Sequence, residues 1–145
     1  MGAGAPPPPT PAAVPVSVPA VFLAFDPGTR RVGVASGNSL TRSATPLGTL
    51  PAADEARLLE SIGALVDEWH PAALVVGVPR HPDGAAHAGT KRAKRFVARL
   101  AARFGLPVQE VDERYSTVEA EAGGARDVDA AAAAILLEQY LAERG

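Results

Sequence analysis

The sequence predicts an α/β protein with a mixed five-stranded sheet and helices on both faces. Three observations lead to this class: apolar runs of strand length end at turn residues, apolar positions later recur at helical spacing, and the two patterns alternate. The predicted order is β-β-β-α-β-α-β-α-α, which is three antiparallel strands followed by αβ units. Ligands of such sheets gather beyond the carboxyl ends of the parallel strands.

The first three strands form a predicted meander. Residues 21–25 are an apolar run suited to a strand buried on both faces, and the run ends at Asp26. Residues 27–29 (Pro-Gly-Thr) can reverse the chain, after which Val32 and Val34 alternate with small residues in an antiparallel partner. A weaker third strand covers about residues 44–50.

Helical spacing begins after Asp54, a predicted N-cap, and Pro71 marks the end of this first helix. Residues 74–78 then form a second fully buried strand. Thr90 is the predicted cap of the next helix, which Gly105 ends. The apolar positions that indicate these two helices are Leu58, Leu59, Ile62, Leu65, Val66 and Trp69, then Ala93, Phe96, Val97, Leu100 and Phe104.

The sequence of residues 108–143 predicts one strand and two helices. Residues 108–111 form the fifth strand. Ser116 and Glu119 have the spacing of a capping box and predict a short helix. A final helix covers about residues 128–143.

Composition limits the chemistry that the chain can perform. Its 145 residues contain 14 basic and 16 acidic side chains and no cysteine, which excludes a disulfide framework, a thiolate zinc site and a cysteine nucleophile. Seven of the 14 prolines fall within residues 1–19, so we expect a disordered extension there and one domain over residues 20–145. We expect neither a secretory signal nor a membrane span, and a cytoplasmic protein fits.

Three carboxylates far apart in sequence can meet at one edge of the sheet. Asp26 ends the first strand, Glu113 follows the last strand, and Asp129 begins the final helix. Oxygen ligands of this kind suit Mg²⁺ or Mn²⁺, which activate water in phosphodiester cleavage. The alternative interpretation is structural, because a strand-end Asp is often a turn former and an Asp at a helix start often stabilises the helix dipole.

Basic residues are concentrated between Arg80 and Arg103. This segment has seven basic residues and one acidic residue, Asp83, so it carries +6 and the remainder −8. Five of the basic residues form a stripe about 120° wide on the predicted helix, suited to a phosphate backbone. A solvated helix face is the alternative, but no acidic residue stands at the i,i+4 positions. The stripe consists of Lys91, Arg92, Arg95, Arg99 and Arg103.

Other motifs are weaker. The glycines at 28 and 33 have phosphate-loop spacing, but Val34 and Ala35 replace the Lys-Ser/Thr pair that a Walker site requires. The three histidines lack metal-pair spacing. His81 and His87 are in a loop where they can contact substrate, and His70 is expected at a helix end.

Four segments together resemble the YqgF/RuvX family of Holliday-junction-resolvase-like nucleases. They are residues 24–35 (AFDPGTRRVGVA), 76–84 (VGVPRHPDG), 111–120 (VDERYSTVEA) and 128–137 (VDAAAAAILL). The resemblance covers about residues 21–141. It implies an RNase H-like fold and a bacterial cytoplasmic nuclease that matures the 5′ end of pre-16S rRNA in small-subunit precursors, with branched DNA as another substrate.

The resemblance also implies roles for single residues. Asp26, Glu113 and Asp129 are the expected catalytic residues and the ligands of Mg²⁺ or Mn²⁺, with Asp112 beside them. Only nine residues separate Glu119 from Asp129, where relatives have a longer connection, and this makes Asp127 a competing candidate. The expected substrate-binding residues are Thr29, Arg30, Lys91, Arg92, Arg95, Arg99, Arg114, Ser116 and Thr117.

Two other functions stay open at this point. A catalytically weak RNA-binding assembly factor of the small ribosomal subunit would use the same basic helix. An actin-like ATPase shares the Asp-x-Gly-Thr motif, although the chain is short for two duplicated domains and has no second Gly-rich phosphate motif. Whether the domain is a monomer or a weak homodimer is also open.

Overall fold

The computed structural model describes residues 20–80, 88–112 and 128–144. They form one five-stranded sheet and three helices. The predicted extension at 1–19 and the predicted short helix after Ser116 lie outside these residues. Within them, no helix is long and apolar enough to cross a membrane.

The sheet has the order β3-β2-β1-β4-β5. β1 is antiparallel to β2 and β2 to β3, whereas β1 and β4 are parallel, as are β4 and β5. The predicted mixed sheet is therefore confirmed. Its strands are β1 Val21–Pro27, β2 Arg31–Asn38, β3 Ala44–Pro51, β4 Ala73–Val78 and β5 Val108–Asp112.

Side-chain alternation along the strands separates two cores. Leu23 and Phe25 of β1 pack with the helices α1 (Glu55–Trp69) and α2 (Ala88–Phe104) on one face. Phe22 and Ala24 pack on the opposite face, against α3 (Val128–Arg144). Because both faces are covered, β1 and β4 are apolar nearly throughout, which is why their runs were recognisable in the sequence.

The helix ends follow the predicted signals with one exception. The Asp54 carboxylate accepts a hydrogen bond from the Arg57 amide at 3.2 Å, and His70 ends α1 in the left-handed conformation. Gly105, at φ 65°, follows α2. Thr90 is not the cap of α2: the helix already begins at Ala88, and the Thr90 hydroxyl donates instead to the Pro79 carbonyl. That bond ties the start of α2 to the end of β4.

Gly33 allows α3 to approach the sheet closely. A Cβ atom at this position would lie 1.9 Å from the carbonyl oxygen of Asp129 and 2.8 Å from the amide nitrogen of Ala130. Both atoms belong to the first turn of α3, whose backbone cannot move aside as a side chain can. The glycine at position 33 therefore fixes where α3 begins relative to β2.

We predict that Gly33→Ala destabilises the fold by about 3 kcal/mol, the upper range for overpacking, because backbone must shift to admit the methyl group. The matched control is Gly63→Ala in α1, where the added Cβ would meet the Phe104 ring at an ordinary 3.5 Å. That control should gain up to about 1 kcal/mol from helix propensity. Urea unfolding followed by circular dichroism measures both, and an unchanged midpoint for Gly33→Ala would contradict the close approach.

Candidate active site and basic cleft

Asp26 lies at the carboxyl end of β1 and faces α3. Phe22 and Ala24 of the same strand pack against α3, and Asp26, two residues further on, lies on the same face. Its side chain is partly buried. In the antiparallel ladder Asp26 is paired with Gly33, so these two residues share a face. The pairing sets Asp26 beside the position where α3 approaches most closely.

Asp129 is in the first turn of α3, above Gly33. Its carbonyl oxygen makes the close approach, and its side chain is 33% exposed. An aspartate in the first turn is also favoured by the helix dipole, which was the structural interpretation of this residue. Gly33 is the ladder partner of Asp26 and lies against the backbone of Asp129, so the fold places both aspartates at the same end of the sheet, on the face covered by α3.

Arg31 is a member of this site that sequence reasoning missed. Its Nε lies 3.2 Å from Oδ2 of Asp129, and 69% of its side chain is exposed. Arg31 opens β2 two residues before Gly33, so both face α3. The sequence showed that Val32 and Val34 alternate as core residues, which implied that Arg31 points to the opposite face. The sequence did not show that Asp129 is its partner there.

The other predicted metal ligands are not tested by the structure. Glu113 and Asp127 lie outside the described residues, as do Arg114, Ser116, Thr117 and both loop histidines. Within the described ranges no three acidic or histidine side chains cluster closely enough to hold a metal ion. Asp112 is the exposed last residue of β5. Val108 packs in the core under α1 and α2, and Val111 packs in the core under α3, so alternation along the strand directs Asp112 to the same face as Val108, away from α3.

A cleft lies at the same end of the sheet, on the face covered by α1 and α2. It encloses about 180 Å³ between the β1–β2 turn and α2. The turn is tight because the Gly28 amide donates to the Arg31 carbonyl at 2.8 Å, and it presents Thr29 at the cleft. Predicted substrate-binding residues that line this cleft together are Thr29, Arg92, Arg95 and Arg99.

The cationic residues of α2 differ in their partners. Arg99 forms an ion pair with Glu55 of α1, and Lys94 pairs with Glu110 of β5 at 2.7 Å. Neither partner was recognisable from the sequence, because both acids come from other elements and not from i,i+4 positions on α2. These pairs are solvent-exposed and cost little to break.

Arg92 and Arg95 supply the remaining positive charge at the cleft. Arg95 is exposed, whereas Arg92 is half-buried and its Nε is buried without a hydrogen-bond partner among the described residues. A guanidinium has five donors suited to phosphate oxygens, and a buried donor without a partner costs free energy until it finds one. Lys91 precedes them, exposed, and Arg30 is exposed in the β1–β2 turn.

The architecture defines the class of protein. A sheet with three antiparallel and two further parallel strands, and a last helix that carries an acid to the end of β1, is an RNase H-like fold. Thermus thermophilus RuvC, solved in complex with a Holliday junction substrate, matches with a TM-score of 0.58 over 86% of this chain and 95% of its own, at 18% identity. At this identity the match shows the fold alone.

Sequence comparison gives the family. The family model "RuvX: Holliday junction resolvase" matches residues 20–143, so the chain belongs to the RuvX family of nucleases, as its four motifs predicted. A relative from Polaromonas sp. is 62% identical over 83% of this chain and 86% of its own length. One from Paraburkholderia phymatum is 56% identical over 84% and 85%. Both are named "Putative pre-16S rRNA nuclease".

Proposed function

We propose that this protein is a divalent-metal-dependent endonuclease that cleaves the precursor of 16S rRNA in the cytoplasm, with branched DNA as a second substrate class. The observation that carries the proposal is the position of Asp26 and Asp129 at one end of the sheet, on the α3 face, with a cleft lined by arginines at the same end on the opposite face. The names of the relatives supply the RNA substrate, and the family description supplies the branched DNA.

The donor set fits Mg²⁺ or Mn²⁺. Asp26 and Asp129 offer carboxylate oxygens only, both side chains are partly open to solvent, and these ions prefer oxygen ligands and retain several waters. Asp26, Asp129 and, from the sequence, Glu113 would hold the ion. When bound, the ion supplies Lewis-acid stabilisation of charge on the phosphate and lowers the pKa of an attacking water.

The chain's own residues then have distinct tasks. Asp26 is fixed by the β1–β2 ladder and Asp129 by the first turn of α3, so neither carboxylate depends on a long flexible segment for its position. Arg92 and Arg95 bind substrate phosphates on the α2 side of the sheet edge, with the Thr29 hydroxyl beside them. The scissile phosphate therefore lies at the carboxylates while a neighbouring phosphate lies in the cleft.

We predict that Asp26→Asn reduces metal-dependent cleavage of pre-16S RNA by at least about a hundredfold, because it removes one anionic ligand while keeping the side-chain shape. Folding and RNA affinity should stay close to wild type. The assay incubates pre-16S RNA and a four-way DNA junction with each protein in Mn²⁺ and in EDTA.

Asp67→Asn, on the exposed surface of α1, is the matched control and should cleave like wild type. Equal Mn²⁺-dependent cleavage by wild type and Asp26→Asn would reject Asp26 as a metal ligand. No cleavage by wild type in Mn²⁺, together with normal rRNA maturation in cells that carry Asp26→Asn, would reject the endonuclease proposal and indicate an RNA-binding assembly factor without turnover.

A second prediction concerns the cleft. Arg95→Gln should weaken RNA binding several-fold and lower the slope of log K against log salt by about one, because one phosphate contact is lost. Arg42→Gln makes the same change of charge at the β2–β3 turn, at the opposite end of the sheet, and should leave both quantities unchanged. Fluorescence anisotropy over a salt series measures them, and identical slopes for the two variants would exclude Arg95 from the interface.

The ion pair between Glu55 and Arg99 gives a third prediction. Glu55→Gln releases Arg99 and makes the cleft more positive, so RNA affinity at low salt should rise several-fold. Glu60→Gln, an exposed change on the same helix, controls for net charge. A fall in affinity after Glu55→Gln would mean that Glu55 orients Arg99 toward the substrate and does not compete with it.

A further inference from the structure

The guanidinium of Arg31 contacts the carboxylate of Asp129, one of the two proposed metal ligands. We propose that Arg31 is an intrinsic counter-cation of the candidate metal site: it neutralises Asp129 in the metal-free protein and is displaced when the ion binds. This inference rests on the proposed function, since it assumes that Asp26 and Asp129 are the ligands.

Electrostatics gives a reason for such a residue. The fold places two carboxylates at the same end of the sheet on one face, and like charges on one face repel unless a cation lies beside them. Arg31 provides that cation from the same face of β2 as Gly33, with its Nε 3.2 Å from the Asp129 carboxylate. The metal-free site is therefore closer to neutral than its acidic residues indicate.

The exposure of Arg31 favours displacement over permanent orientation of the carboxylate. With 69% of its side chain in water, the guanidinium can leave Asp129 and be hydrated at once, so no buried charge is left behind. Its main chain does not need to move, because the Arg31 carbonyl accepts the Gly28 hydrogen bond and β2 pairs with β3 from Arg31 onward. Only the side chain turns away.

Competition and orientation predict opposite effects on metal affinity. If Arg31 competes with the ion, its removal should tighten metal binding, because one positive charge disappears from beside a dication. If Arg31 instead orients the ligating carboxylate, as outer hydrogen-bond partners of metal sites do, its removal should weaken binding. The sign of the change therefore decides between the two.

The test is Mn²⁺ binding to the full chain, stripped with EDTA and measured by calorimetry and by the electron paramagnetic resonance of free Mn²⁺. Arg31→Gln should raise affinity about tenfold at low salt, the scale of removing one charge beside a dication in a solvated site. The increase should shrink at high salt, where the charges are screened. Arg31→Lys, which keeps the cation, should remain within about twofold of wild type.

Arg57→Gln is the matched control, since it removes another exposed arginine paired with an aspartate, Asp54 at 3.7 Å, at the start of α1 on the opposite face of the sheet. It should bind Mn²⁺ like wild type. Unchanged or weaker binding by Arg31→Gln, with circular dichroism showing a folded protein, overturns the inference.

Asp129→Asn distinguishes a failure of the counter-cation inference from a failure of the proposed metal site. Loss of Mn²⁺ binding in Asp129→Asn supports the metal site, and the Arg31 variants then test the counter-cation alone. Equal binding by Asp129→Asn and wild type, or no binding by either, overturns the proposed metal site and this inference with it.

Discussion

The approach of α3 to β2 at Gly33 is the constraint on which the rest of the site depends. The carbonyl oxygen of Asp129 lies where a Cβ would stand, so no other residue at position 33 allows the same seating of the helix. Gly33 is also the ladder partner of Asp26, and it follows Arg31 by two residues on the same face. One missing side chain thus sets the mutual position of two carboxylates and a guanidinium.

The two faces of the sheet edge divide the work of the proposed nuclease. The α3 face carries Asp26, Asp129 and Arg31, whereas the α2 face carries the arginine cleft, and the sheet separates the two. This separation explains how a chain with a net charge of −2 can bind a polyanion. Its cations are concentrated on one side, where phosphates can reach them without passing the carboxylates.

One ion pair partly neutralises the charge on each face of this end of the sheet. Glu55 holds Arg99 at the cleft, and Arg31 holds Asp129 on the opposite face. Arg31, Arg99 and Glu55 are exposed and Asp129 is partly buried. Ion pairs open to solvent contribute about 1 kcal/mol or less each, so a phosphate or a dication can displace a partner from either pair. Formal charge counted along the sequence therefore overstates how many of these groups a ligand meets unpaired.

The sequence by itself determined the class of fold, the strands, the acid at the end of β1, the acid opening α3 and the basic stripe on α2. These features are local: they depend on apolar periodicity, turn residues and charge spacing, which neighbouring residues decide. The start of α2, the partners of Lys94 and Arg99, and the contact of Arg31 with Asp129 depend on residues distant in sequence. Only the tertiary structure decided them, because side-chain partners across elements follow from how helices are seated on the sheet, and that seating is set by the packing of both faces at once.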